Sequence, residues 1–279
     1  MGLVHLMKDA EEGNTVNTYT FSMATAADEI AAGIIGGDLD IALIPANLAS
    51  VLYNKTEGGI SVVDINTLGV LYCISGDETI TSINDLSDQT VITTGQGTTP
   101  EFTLRYLLDA YGIENCELEF KSEANEVAAV LMENPNAIAV LPQPFATAAQ
   151  LQNEALHTCF SLSDAWDEIT DTSRMVTGVT IVTNTFLAEH PQAVDQFIED
   201  HQSSVEKSAD VDVTNELIVA YGIMEKAPPA KKALPLCNLV CITGEEMKTI
   251  LSGYLQVLND FDPKSIGSNL PQDDFYFVK

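Results

Sequence analysis

The sequence predicts an α/β protein built as two similar lobes with a cleft between them. Three observations carry this: short apolar runs alternate with helical patterns, one such unit is repeated, and a glycine loop joins a buried run to a helix start. Alternation at this rhythm predicts a parallel sheet covered on both faces. Sliding the chain by 97 residues lays ADEIAAGIIGGDLDIALIP (residues 27–45) on ANEVAAVLMENPNAIAVLP (residues 124–142) without a gap. Seven of these nineteen positions are identical, where composition alone gives about one or two. Ile30/Val127, Ile34/Leu131, Ile35/Met132, Leu43/Val140 and Ile44/Leu141 are swaps that stay apolar. Residues 1–75 with 176–279 are therefore expected to form lobe one, and residues 76–175 lobe two.

In lobe one, residues 2–12 have helical spacing, with Leu3, Leu6, Met7 and Ala10 on one face. Residues 18–22 are expected to be a short strand. Thr25-Ala26-Ala27-Asp28 is a cap signature for a helix through Ile30, Ile34 and Ile35, which Gly36-Gly37 stops. Residues 40–44 make a buried strand ended by Pro45, residues 46–53 a short helix, and residues 60–65 a strand opened by Gly58-Gly59. By the repeat, the counterpart of VITTGQGTTP falls ahead of Met1. The chain is accordingly expected to be an N-terminally incomplete piece that lacks the first strand and ligand loop of lobe one, with a complete chain of asymmetric lobes as the alternative.

Lobe two centres on VITTGQGTTP followed by EFTLRYLLDAY, residues 91–111. Val91, Ile92 and Thr93 form a β-branched strand. Gly95 and Gly97 permit a tight turn and close approach of backbone to a ligand. Thr98-Thr99-Pro100-Glu101 is a helix start with a Thr cap, a Pro in the first turn and Glu three residues after Thr98. Leu104, Leu107, Leu108 and Tyr111 give that helix one apolar stripe. Free N–H groups at such a start suit an anion or a carbonyl, and an ordinary βα turn with nothing bound fits the same residues.

Residues 66–74 and 175–182 are extended runs that cross between the lobes and form a hinge. Beyond the return, residues 191–205 form a helix with Val194, Phe197, Ile198 and Val205 inward. A helix over 213–225, a proline- and lysine-rich connection over 226–235 and a final helix over 244–259 follow. The C-terminal segment is expected to pack back on lobe one.

Composition limits the function. The 279 residues hold 46% hydrophobic side chains, enough for a sizeable core. Twelve Lys and Arg against 41 Asp and Glu give a formal charge of −29, which argues against nucleic acid or an anionic membrane surface as partner. No apolar run reaches the roughly 18 residues of a membrane span, and no signal-peptide pattern stands at Met1. The five cysteines form no CxxC pair and are expected to be buried small hydrophobes. His5, His157, His190 and His201 are scattered, suggest no metal cluster and are expected at surface or capping positions. No GxSxG elbow, Walker A loop or HExxH is present, and Gly95-Gln96-Gly97 lacks the third glycine of a dinucleotide fingerprint. No catalytic residue, metal or cofactor is expected.

Ligands of open α/β sheets meet the carboxyl ends of the strands. That rule selects Asn47, Gln143 and the loop carrying Thr94, Gly97, Thr98 and Thr99, with Thr67 and Thr177 on the crossing strands. Asn47 and Gln143 each offer a donor and an acceptor, and helix capping fits Asn47 equally well. Arg105 and Arg174 are the two arginines, and Arg174 is the one cation expected near the hinge. A neutral heterocycle is as compatible with this set as an oxyanion.

GLVHLMKD, GGDLDIALIPANLASVLYNK, INTLGVLY, DLSDQTVITTGQGTTPE, VLPQPFAT, LSDAWDE, TGVTIV, ALPLCNL and IGSNLPQDDFYF resemble, in order, ABC-transporter substrate-binding proteins of the nitrate/sulfonate/taurine type. The superfamily also includes binders of thiamine precursors and pyrimidines. The resemblance covers essentially the whole chain. It implies a type II periplasmic-binding-protein fold, hinge closure on a small polar or anionic molecule and delivery to an ABC permease. It also implies an extracytoplasmic place, periplasmic or as a lipoprotein, and a monomer suffices for that role. The signal, the lipid-anchored Cys and the first glycine loop of the family are not matched in this chain. A cofactor-biosynthesis enzyme on the same fold and a ligand-sensing domain are the alternatives.

Overall fold

The structure is a computed structural model that describes residues 1–24, 27–224 and 227–279. The chain opens with α1 (Val4–Glu11), α2 (Ala27–Gly36), β1 (Ile41–Pro45), α3 (Ala46–Lys55) and β2 (Ile60–Leu68). Next come β3 (Leu71–Ser75), β4 (Thr90–Thr93), α4 (Thr99–Ala110), β5 (Glu117–Phe120), α5 (Ala124–Glu133), β6 (Ile138–Pro142), α6 (Phe145–Gln152), β7 (His157–Ser161) and α7 (Leu162–Ile169). The last part holds β8 (Val176–Thr183), α8 (Asn184–Glu189), α9 (Pro191–Lys207), α10 (Val211–Ala220), α11 (Ala227–Ala233), β9 (Leu239–Ile242) and α12 (Gly244–Phe261). Thr25 and Ala26 of the expected cap signature, and Glu225 and Lys226, lie outside the described residues.

The strands form two sheets, ordered β1-β8-β2-β9 and β5-β4-β6-β3-β7. Among the strands described, parallel pairing joins only β5 to β4 and β4 to β6, and every strand pair in the first sheet is antiparallel. The expected all-parallel sheet fails because β8 and β3 enter their sheets from the crossings, against the direction of the strands they join. The chain changes sheet between Leu68 and Leu71, ahead of the residue 75 boundary read from sequence, since β3 pairs with β6 and β7. It returns in the loop between α7 and β8.

The repeat is visible in the topology. β1, α3 and β2 follow one another as β6, α6 and β7 do, and β8 stands beside β1 as β3 stands beside β6. The difference is at the other edge: β6 also pairs with β4, whereas β1 pairs with β8 and ends its sheet. Residues 18–22 are not a strand. Without a ladder beside them they are held by side chains, with Tyr19 stacked on Phe21 at 5.7 Å and its hydroxyl donating to Asp200 Oδ2 at 2.7 Å.

Other boundaries moved for local reasons. Asp210 accepts a hydrogen bond from the Val213 N–H at 3.2 Å and so starts α10 earlier than expected, while Gly222, at φ +69°, follows its end. The expected connection over 226–235 contains α11, because Pro228 and Pro229 fall in the first turn, where a missing N–H costs nothing. The core joins the two sheets: Tyr106 and Tyr254 pack on fully buried Trp166, with ring centroids at 4.6 and 5.5 Å. α4, α7 and α12 meet there. The C-terminal segment packs back on the first sheet, where the Phe277 N–H donates to the Val62 carbonyl at 2.9 Å. Among the described residues no helix is long and apolar enough to cross a membrane.

Candidate functional site

The loops that end β1, β4 and β6 carry the expected ligand groups. Asn47, in the first turn of α3, is held by its Nδ2 donating to the Ser265 carbonyl at 3.2 Å. Its Oδ1 accepts from Thr99 Oγ1 at 3.0 Å, so one side chain bond joins the end of β1 to the start of α4 in the other half. Asn47 caps no helix; Pro45 occupies the N-cap of α3 without a side-chain bond. Gln143 is buried, and its Oε1 accepts from the N–H and hydroxyl of Thr147 at 3.3 and 2.8 Å. Its Nε2 has no partner among the described residues. A buried amide N–H without a partner costs about 1–3 kcal/mol, which a ligand acceptor would recover.

On the crossing strands, Thr67 donates to Asn66 Oδ1 at 2.8 Å, and Asn66 Nδ2 donates to Thr180 Oγ1 at 3.2 Å. The Thr177 hydroxyl is buried and without a partner among the described residues. Arg174 is not drawn into this group: it is exposed, in the loop entering β8. Its charge acts on Asp167, whose carboxyl is pushed up by burial and partly held back by Arg174.

The glycine loop differs from the expected cap. Gly95 and Gly97 both take φ +74°. Thr98 stands at the N-cap of α4, but its hydroxyl donates backwards to the Gly95 carbonyl at 2.7 Å instead of accepting from the helix. Thr94 is half-buried, and Gly97 and Thr98 are exposed. Glu101 takes the free donor: its Oε2 accepts from the Gly97 N–H at 2.6 Å, and Arg105 Nε donates to its Oε1 at 2.7 Å. Burial pushes the Glu101 carboxyl up, but the Gly97 N–H and then Arg105 outweigh it and hold its pKa below the usual value. A recess of about 300 Å³ beside the loop is lined by Gly95, Gln96, Phe120, Lys121 and Ser122. Lys121 is itself paired with Glu119 at 2.7 Å. Hydroxyls and amides thus outnumber free cations around this site, an arrangement made for hydrogen bonding.

Sequence reasoning missed the buried histidines. His5, on the buried face of α1, has its Nε2 2.8 Å from Thr214 Oγ1 of α10, and His201 is fully buried against Asp64. Their partners lie 209 and 137 residues away, so no local spacing announced them. Of the five cysteines, Cys73 and Cys237 are buried as expected, and Cys116, Cys159 and Cys241 are only half-buried.

No family model matches the chain, and no curated protein matches it. Solved structures do. An ABC transporter protein from Parabacteroides distasonis is similar with a TM-score of 0.84 and 22% identity, over 100% of this chain and 96% of that one. The periplasmic aliphatic sulphonate binding protein SsuA from Escherichia coli is similar with a TM-score of 0.73 and 11% identity, over 97% and 88%. The desulfurization enzyme DSZB is similar with a TM-score of 0.59 and 13% identity, over 87% and 84%. With its two sheets, two crossings and facing loops, the chain has the type II periplasmic-binding-protein fold that it shares with SsuA.

Proposed function

We propose that the chain is the solute-binding component of an ABC-type importer, which captures a small polar or anionic organic molecule between two lobes and delivers it to a permease. The observation that carries this reading is the Thr99–Asn47 hydrogen bond, which draws the loops of both halves to one place. The lobes are residues 1–70 with 176–279 and residues 71–175, the first boundary moved ahead of β3 because that strand pairs in the second sheet, and they pivot at the two crossings. Gln143 and Thr177 supply unpaired polar atoms, Asn47, Thr67, Thr94, Thr98 and Thr99 supply further hydroxyl and amide groups, and Gly97 lends its backbone. Arg174 reaches the ligand only if its loop turns inward. Sulfonates, taurine, nitrate and thiamine-precursor-like molecules are the ligand classes, with SsuA as the support for the first. The protein works outside the cytoplasm, periplasmic or lipid-anchored, as a monomer.

The fold is shared with an enzyme, so turnover is the second class to test. The cleft loops 45–47, 94–98 and 142–144 carry hydroxyls and amides, and the one carboxylate described beside them, that of Glu101, is taken up by the Gly97 N–H and Arg105. A thermal-shift panel of alkyl sulfonates, taurine, nitrate, pyrimidines and thiamine precursors tests the proposal. A ligand at a hundred times its Kd adds about 2.7 kcal/mol, or roughly 5–10 °C for a chain of this size. One selective hit, recovered unchanged, supports an importer component. Chemical conversion of the hit overturns it in favour of an enzyme, and a cooperative melt that no compound shifts overturns the ligand classes named.

A further inference from the structure

On the side of the first sheet that α9 covers, three side chains from three elements converge: Asp64 of β2, His201 of α9 and Cys241 of β9. Asp64 and His201 are fully buried, with His201 Nδ1 3.1 Å from Asp64 Oδ2. One donor atom from each of the three residues lies within 4.8 Å of the others. The carboxylate is oriented from behind, since Thr180 Oγ1 donates to Asp64 Oδ1 at 2.8 Å and Asn66 Nδ2 donates to Thr180 in turn. Such outer partners are what fix a ligating carboxylate.

A hydrogen-bonded Asp–His pair accounts for two of these groups and leaves the third unexplained. Cys241 is not a nucleophile served by His201, because the Nε2 of that ring has no hydrogen-bond partner among the described residues. We propose that Asp64, His201 and Cys241 form a zinc site tying β2, α9 and β9 together. An oxygen, a nitrogen and a sulfur donor suit zinc and disfavour magnesium and calcium, which want oxygen. Bond lengths of 2.0–2.3 Å put tetrahedral zinc donors about 3.3–3.7 Å apart. The Asp64–His201 pair is close to that spacing already, and Cys241, half-buried on the edge strand β9, closes the rest. On binding, the thiol releases its proton to solvent, and the thiolate and carboxylate together neutralise the dication.

The test is cobalt titration of the full chain after chelator treatment. One equivalent of Co²⁺ is expected to produce the visible bands of tetrahedral cobalt and a near-ultraviolet thiolate-to-cobalt band, both erased by Zn²⁺. Cys241→Ser, at a half-buried position that keeps its melt, should lose the thiolate band and bind about tenfold or more weakly. Asp64→Asn should weaken binding while the band persists. Failure of Co²⁺ to bind, or a thiolate band unchanged in Cys241→Ser, overturns the site. Neither outcome depends on whether the cleft binds a solute.

Discussion

Glu101 sits where an anionic ligand of the glycine loop would place its charge. Its carboxylate holds the Gly97 N–H, just ahead of α4, and is in turn held by Arg105, so the chain supplies its own anion at the glycine loop. Glu101→Gln should cost about 1–2 kcal/mol at pH 7, the worth of a charge-assisted bond over a neutral one. The sign of its pH dependence follows from the depressed pKa: the contribution is full above the ordinary carboxylate value of about 4.3 and fades as pH falls through the lower folded value. Urea unfolding of both proteins at pH 7 and near pH 3 should give a gap that closes on acidification; a constant gap would mean that the charge is not what matters. The same residue marks how far sequence reading reached. The Thr98-to-Glu101 spacing announced a capped helix start, and the helix begins there. The bond itself fell one residue earlier, because Gly97 at positive φ turns its N–H toward the carboxylate. The strand-end rule pointed to Asn47 and Gln143, and the structure places them just after β1 and β6. That Asn47 would bond Thr99 across the halves depends on how the halves sit, which no local pattern records.

Elements were readable wherever periodicity was local. The apolar stripes of α4, α9 and α12 and the β-branched runs of β1, β4 and β8 each lie within a few residues of their expected places. Strand direction was not readable, because it is set by the crossings and not by composition. The first crossing shows how tight those are. Gly69 lies between β2 and β3, its carbonyl accepting from Asn238 Nδ2 at 2.5 Å. A Cβ there would run into the Ser163 hydroxyl and come within 2.9 Å of Met175 Cε. Gly69→Ala should therefore lower stability by about 1–3 kcal/mol, the range for overpacking a filled site. Adding Ser163→Ala removes the atom struck first and should restore at least half of the loss. If the double variant is no better in urea titration than Gly69→Ala, the clash is not between Gly69 at the β2–β3 crossing and Ser163 of α7.

At the scale of the molecule, the repeat was the most informative reading, because nineteen aligned positions fix a unit and not merely a helix or a strand. It foretold two similar halves, and the strands of both sheets follow its order. It also drew attention to the neighbour that β6 has and β1 lacks. That difference places one sequence pattern, IALIP and IAVLP, in two settings within one molecule. In β6 the backbone is bonded on both flanks by β3 and β4; in β1 the flank away from β8 pairs with no strand among the described residues. Amide deuteration should separate them in time. The amides on that flank of β1 should take up deuterium by local fraying, while those of β6 should wait for a larger opening of their sheet. Because the two segments differ so little in side chains, their intrinsic exchange chemistry nearly cancels. Peptides from residues 41–45 and 138–142 thus form a paired clock, in which equal uptake would reveal that something covers the β1 edge in solution.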